Sequence, residues 1–160
     1  MKNYFLLLTF LSLCIVNIQG QDTAQVSVPF LMYDNAGGER TLYFGIDSTA
    51  TDSIDIHLGE SDLPPFPPTG VFETRWILPS NNFSGSLSSY RDYRYAAGIP
   101  FLDTLEYRLK YQGSDGADTM FFAWNFPIDI TARLQDLVTG TIVNVFLSDS
   151  GVFAFDNFNV

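Results

Sequence analysis

Leu105-Glu106-Tyr107-Arg108-Leu109-Lys110-Tyr111 is the stretch that decides the fold. Leu105, Tyr107, Leu109 and Tyr111 alternate with charged Glu106, Arg108 and Lys110. A period of two puts each set on its own face of an extended chain, so the stretch reads as a strand with one buried and one wet face. Ile128, Ile130, Ala132 and Leu134 alternate in the same way with Asp129, Thr131, Arg133 and Gln135. Leu42, Phe44 and Ile46 share a face, as do Phe72, Thr74, Trp76 and Leu78. Met120, Phe122, Trp124 and Phe126 form a further stripe, and residues 25–33, 141–147 and 152–157 complete the set. β-branched and aromatic residues, which suit a pleated surface, supply these runs.

Turn residues fall between the runs. Asn35-Ala36-Gly37-Gly38, Gly113-Ser114-Asp115-Gly116, Thr139-Gly140 and Asp149-Ser150-Gly151 offer positive φ or side-chain bonding to the backbone. Pro29 and Pro127 are expected at strand edges or ends, where a missing N–H is tolerated. No segment sustains a helical repeat. About eight short antiparallel strands predict an all-β chain folded as one antiparallel β-sandwich over residues 21–160, Ig-like, with a jelly roll as the rival architecture. At this length a domain buries about 68–70% of its unfolded surface, enough for a core without covalent staples.

Residues 1–20 read as a secretory signal peptide. Lys2 is followed by an apolar run from Phe5 to Val16, shorter than the about 20 residues that cross a bilayer, and then by polar Asn17-Ile18-Gln19-Gly20. Cys14 follows Leu13 and precedes Ile15 and Val16, which is not the setting of a lipid-accepting cysteine. The expected location is therefore extracellular or at the cell surface, or periplasmic without a second export step. No membrane insertion is expected after cleavage. The chain carries 8 basic and 18 acidic side chains, net −10, and cleavage after Gly20 takes this to −11 and removes the one cysteine. Such a balance provides no footprint for nucleic acid or an anionic membrane. A mature chain without cysteine has no disulfide framework, thiolate zinc site or cysteine nucleophile. Asn82-Phe83-Ser84 is a glycosylation sequon, meaningful only on a eukaryotic secretory route.

Two stretches break the pattern. Residues 47–70 form an acidic and then proline-rich connection whose second half must be extended, because paired prolines impose polyproline II geometry. Residues 79–104 begin polar and run into Tyr90-Arg91-Asp92-Tyr93-Arg94-Tyr95, expected as a loop. The run Phe44-Gly45-Ile46-Asp47, Ala50-Thr51-Asp52, Asp55, Leu58-Gly59-Glu60, Leu63-Pro64-Pro65, Pro67-Pro68, Val71-Phe72 and Arg75, with Asp92-Tyr93-Arg94 and Asp136-Leu137 later, carries a resemblance. It resembles a module near the start of secreted, multi-part surface proteins of Bacteroidota and related phyla such as Ignavibacteria, cargo of the type IX secretion system. The resemblance implies a non-catalytic β-sandwich. It also implies a C-terminal sorting domain, which is lacking up to Val160, so a truncated or split member, or another export route, is expected.

Candidate chemistry lies in both irregular stretches. Asp47, Asp52, Asp55, Glu60 and Asp62 crowd together with no Lys or Arg among them, and hard oxygen ligands of this kind suit a weak extracellular Ca²⁺ site. Their spacing is not that of an EF-hand, and the same residues serve as turn and cap acceptors for backbone N–H groups. Calcium is the one cofactor considered. Tyr90, Tyr93 and Arg94, with Trp76, offer rings and hydrogen-bonding groups that can hold a sugar, or else tie a long loop to the sandwich. His57 is the only histidine, no serine sits in a nucleophile elbow, and there is no HExxH pattern or phosphate cradle, so no enzyme is expected. The expected role is structural, adhesive or protein-interacting, with carbohydrate binding as the alternative. The partner would be an extracellular protein or glycan. The first and last strands are expected to be sheet edges open to strand addition.

Overall fold

A computed structural model describes residues 23–156 except 99, 100 and 102; the signal peptide expected at 1–20 lies outside the described residues. The strands in chain order are β1 (Val26–Asp34), β2 (Glu39–Asp47), β3 (Glu73–Ile77), β4 (Ser88–Ser89), β5 (Arg91–Tyr95), β6 (Arg108–Gln112), β7 (Thr119–Asn125), β8 (Ala132–Gln135), β9 (Asn144–Leu147) and β10 (Ser150–Asp156). A short 3-10 turn at Ile56–Leu58 and one helical turn at Ser80–Phe83 are the only helical pieces among the described residues.

The fold is all-β and sandwich-like. One layer is a five-stranded sheet in the order β10-β7-β1-β2-β5. Facing it are a three-stranded sheet, β4-β3-β6, and the β8-β9 hairpin. The alternation read from the sequence places the core. Val28, Phe30 and Met32 from β1, Leu42 and Phe44 from β2, Met120 and Phe122 from β7, and Phe153 and Phe155 from β10 pack together. They meet Trp76 of β3, Leu109 and Tyr111 of β6, and Leu134, Val145 and Leu147 of the hairpin. Phe30 lies at the centre, its ring 6.4 Å from Phe44, 6.2 Å from Trp76 and 6.4 Å from Phe122. Each such side chain contributes about 1.5–3 kcal/mol by leaving water.

Several expectations need correction. Strand β1 is not an edge. It lies between β7 and β2, and the edges of the large sheet are β10 and β5. Pro29 is therefore inside a central strand. Its partner Tyr43 gives its N–H to the Tyr90 carbonyl, away from β1, so the pair is not hydrogen-bonded and the missing N–H of Pro29 faces the β7 side. The β1–β7 pairing starts only at Phe30↔Trp124, which leaves that position without a ladder bond to lose. The Tyr90–Tyr95 stretch is not a loop: Arg91–Tyr95 is strand β5, paired parallel to β2. A long crossover through β3 and β4 separates these two strands in sequence, which is what a parallel pair requires. The strand expected from Leu105 starts at Arg108, opposite Ile77, where β3 ends. The strand expected from Ile128 starts at Ala132, because Asp129 turns the chain with φ 75° and the Ile130 N–H bonds to the Pro127 carbonyl.

At Gly45 the backbone of β1 comes too close to leave room for a side chain. A Cβ there would sit 1.9 Å from the Val26 carbonyl oxygen, and the Gly45 carbonyl already accepts the Tyr107 hydroxyl at 2.6 Å. The obstructing atoms are all backbone of β1, which leaves nothing flexible to give way. Gly45→Ala is expected to destabilise the chain by about 1–3 kcal/mol, read as a lower urea midpoint; an unchanged midpoint would show that β1 and β2 can separate freely.

Candidate functional site

Strand β3 departs from simple alternation: Glu73, Thr74, Arg75 and Trp76 are all buried. One face meets the core through Thr74 and Trp76. The other, carrying Glu73 and Arg75, is covered by the proline-rich segment. Prolines have no N–H, so a strap of Pro64-Pro65 and Pro67-Pro68 can be held only through its carbonyls. Arg75 Nη1 donates to the Pro64 carbonyl at 2.7 Å, and Gln112 Nε2 donates to the carbonyls of Pro68 at 2.9 Å and Val71 at 2.6 Å. The cross-strand register Glu73↔Gln112, Arg75↔Lys110 and Ile77↔Arg108 places these donors on one face of β3 and β6.

Beside the strap lies a cleft of about 640 Å³. Its walls are the strap around Pro64, Pro65 and Phe66, the β3–β6 face with Arg75, Ile77 and Lys110, and the turn from Phe83 to Ser88. Arg75 and Lys110 both lie over the Phe66 ring, at 4.9 and 4.4 Å from its centre. Arg108 covers the Phe83 ring at 4.1 Å. The turn that places Phe83 is strained. Asn81, Asn82 and Phe83 are all left-handed, with φ 53°, 55° and 57°. Asn tolerates this region; for Phe it costs about 1–2 kcal/mol. Arg75 is only 3% exposed, with Glu73 at 3.2 Å and Ser88 Oγ at 3.2 Å, yet its Nε has no hydrogen-bond partner.

The residues singled out in the sequence fall elsewhere. Trp76 and Arg94 are buried and both lie against the Tyr107 ring, at 6.1 and 5.1 Å. Arg94 forms an ion pair with Asp92 at 2.7 Å. Tyr93 is 2% exposed on the opposite face of β5, its hydroxyl 2.8 Å from Ser27 Oγ. Tyr90 is half-buried under the Arg40 guanidinium, 4.0 Å from the ring centre. None of the three rings presents a free face for a sugar.

The acidic loop folds over the outer face of β2 and β5, where Leu58 and Ala50 enclose Tyr93 in a second small core. Its carboxylates are spent on the chain itself. Asp47 accepts the Gln25 and Thr49 N–H groups, and Asp55 accepts that of Thr51. Glu60 accepts the N–H of Tyr93 at 2.7 Å and of Asp55 at 2.9 Å. Asp62 accepts the Ser88 N–H at the mouth of the cleft, and Asp52 is exposed. Among the described residues, no three His, Cys, Asp or Glu side chains converge as a metal-holding group. Bonding from Thr49 holds Asp47 below the usual carboxylate range, whereas burial pushes Glu60 up to about 7 despite its two N–H donors. Burial also raises Asp92 to about 7, against the pull of Arg94.

The cleft escaped the sequence reading because its parts are spread over four segments. One signal was present: Arg108 and Lys110 share the supposedly wet face of a strand in an acid-rich chain, with Glu106 their only acidic neighbour on that strand. Comparison of the chain with protein-family models, curated proteins and solved structures found no match. Among the described residues no helix is long and apolar enough to cross a membrane.

Because Glu60 and Asp92 bind protons more tightly folded than unfolded, the stability they contribute is fully present below about pH 4 and is lost as pH rises to about 7. The melting temperature should therefore fall between about pH 4 and 7 and level off above that. Glu60→Gln should lower stability throughout, since one amide N–H would face a donor, and should flatten that fall. A profile that rises over the same interval would show both carboxyls ionised without penalty.

Proposed function

We propose that this chain is an exported, non-enzymatic β-sandwich module that works by adhesion at or outside the cell surface. One observation carries the reading: the β8–β9 hairpin presents a rigid apolar tip. Leu137, Val138 and Ile142 are 71%, 86% and 65% exposed. Exposed apolar tips are ordinarily a liability unless a partner covers them. This tip is held in shape by Asp136. One carboxylate oxygen accepts the N–H groups of Val138 and Thr139, and the other those of Ile142 and Val143. The bonds from Thr139 and its neighbours keep the Asp136 carboxyl well below its ordinary pKa, so the clamp persists into acid. A preformed loop binds without first paying to be ordered. The signal peptide read at residues 1–20 supports export, and the resemblance to exported surface modules supports the compartment.

Beads carrying the full chain are expected to be retained on extracellular protein coats, and Val138→Asp to abolish retention while leaving stability within about 0.5 kcal/mol, as for an exposed position. Retention indifferent to Val138→Asp would overturn the reading. So would release of soluble product from a polymer substrate that a single Asp or Glu substitution abolishes. The cleft beside the strap favours a second reading, saccharide binding, at residues other than the tyrosines singled out in the sequence.

A further inference from the structure

We infer that the cleft between the proline strap and the β3–β6 face is a binding site for an acidic saccharide, a sugar carrying a carboxylate or sulfate. This rests on the saccharide-binding reading and names its site and ligand class. The first ground is charge placement. In a chain with 18 acidic and 8 basic side chains, Arg75 and Lys110 stand directly opposite each other across β3 and β6, and Arg108 lies on the same face. Like charges in directly opposed positions destabilise a sheet. Glu73 pairs with Arg75 at 3.2 Å and Glu106 with Arg108 at 2.6 Å, but no acid pairs with Lys110 among the described residues. An anion in the cleft relieves that repulsion.

The second ground is the buried Arg75. Pro64, Ser88 and Glu73 fix its terminal nitrogens, so the guanidinium is held in place before any ligand arrives, while its buried Nε still lacks an acceptor. The third ground is the mix of surfaces. The Phe66 and Phe83 rings are overlaid by cations, the hydroxyls of Ser84 and Ser86 line the rim, and Asp62, the one carboxylate of the lining, is an acceptor for sugar hydroxyls. The volume of about 640 Å³ falls within the range of small-ligand sites. A peptide is a poorer fit. Its backbone carbonyls need N–H donors, and the Pro64-Pro65 wall has none.

The test uses the full chain in affinity electrophoresis through gels containing polygalacturonate, a sulfated glycan, neutral dextran or polyglutamate, at low and physiological salt. Retardation by the uronate or sulfated polymer is expected, with little by dextran or polyglutamate. Lys110→Glu should weaken it by about tenfold or more, the loss of one charge-assisted contact. Lys110 is exposed, so the variant should fold, which its melting temperature checks. Arg133→Glu, an exposed strand position with the same charge change, should leave retardation unaltered. Lys110→Met serves as a second, uncharged variant and should lose affinity likewise. Equal losses in the Lys110→Glu and Arg133→Glu variants would reduce the effect to general electrostatics and overturn the site. Retardation that survives both Lys110 variants, or polyglutamate bound as tightly as the glycans, would overturn it as well. Absence of retention on every glycan would instead overturn the saccharide reading as a whole, leaving adhesion through the hairpin tip to its own assay.

Discussion

The irregular half of this molecule depends on one buried cation. The Arg75 guanidinium ties the strap, through the Pro64 carbonyl, to the paired strands β3 and β4, through Glu73 and Ser88. Burying a guanidinium costs several kcal/mol unless it is paired and hydrogen-bonded, so each of these contacts is obligatory once the strap closes over it. A strap of paired prolines provides only acceptors, and a rigid multi-donor fork is the side chain that matches it. Lysine at this position would place a single point of charge where a planar fork is used. Trp76, the next residue along, faces the aromatic core, so the register of β3 transmits the position of the strap to the packing of Phe30 and Phe44.

This explains which parts of the architecture were legible in the sequence. Period-two patterning gave the core strands wherever one face meets the core and the other meets water, as in β1, β2 and β7. It located β3 too, through Phe72, Thr74, Trp76 and Leu78, but did not show that the second face of that strand is covered. In β3 the buried Glu73 and Arg75 look, in sequence, like a wet face, because burial of a charge is decided by a distant acceptor and not by neighbours. It failed in β5, where Arg91-Asp92-Tyr93-Arg94 has no apolar alternation. There Asp92 and Arg94 occupy the inner face as an ion pair, while Tyr93 covers Gly45 on the outer one. A strand stabilised by a buried ion pair and by a parallel neighbour far away in sequence carries almost no local signal.

The acidic residues illustrate the same point from the side of function. Read along the chain, Asp47, Asp55 and Glu60 form a crowd of like charges that invites a cation. Folded, they are separated into individual acceptors, each facing N–H groups that no strand or helix satisfies. Asp34 acts alike at the β1–β2 turn. Burial works against its ionisation, but the N–H groups of Ser114, Gly38 and Ala36 keep it below the ordinary range. Asp136 does so in the hairpin tip. Part of the net negative charge is thus the residue of loop-building. Long irregular connections, with no sustained helix among the described residues, must satisfy their backbone donors with side-chain oxygens.

That bookkeeping sharpens the contrast at the cleft. Three other guanidiniums sit against rings or acids: Arg40 on Tyr90, Arg91 on Tyr43, Arg94 on Asp92. Lys110 has only the Phe66 face, and an ammonium over an exposed ring gains about 0.5–1 kcal/mol, less than a desolvated ion pair. Acidic residues are abundant enough that a structural role for Lys110 would be met by a carboxylate on the strap within reach. The strap instead places the Phe66 ring against it, and the turn opposite holds Phe83 in a left-handed conformation. A cation left without an acid, between two aromatic walls of which one is strained, is the feature on which the proposed anionic ligand rests.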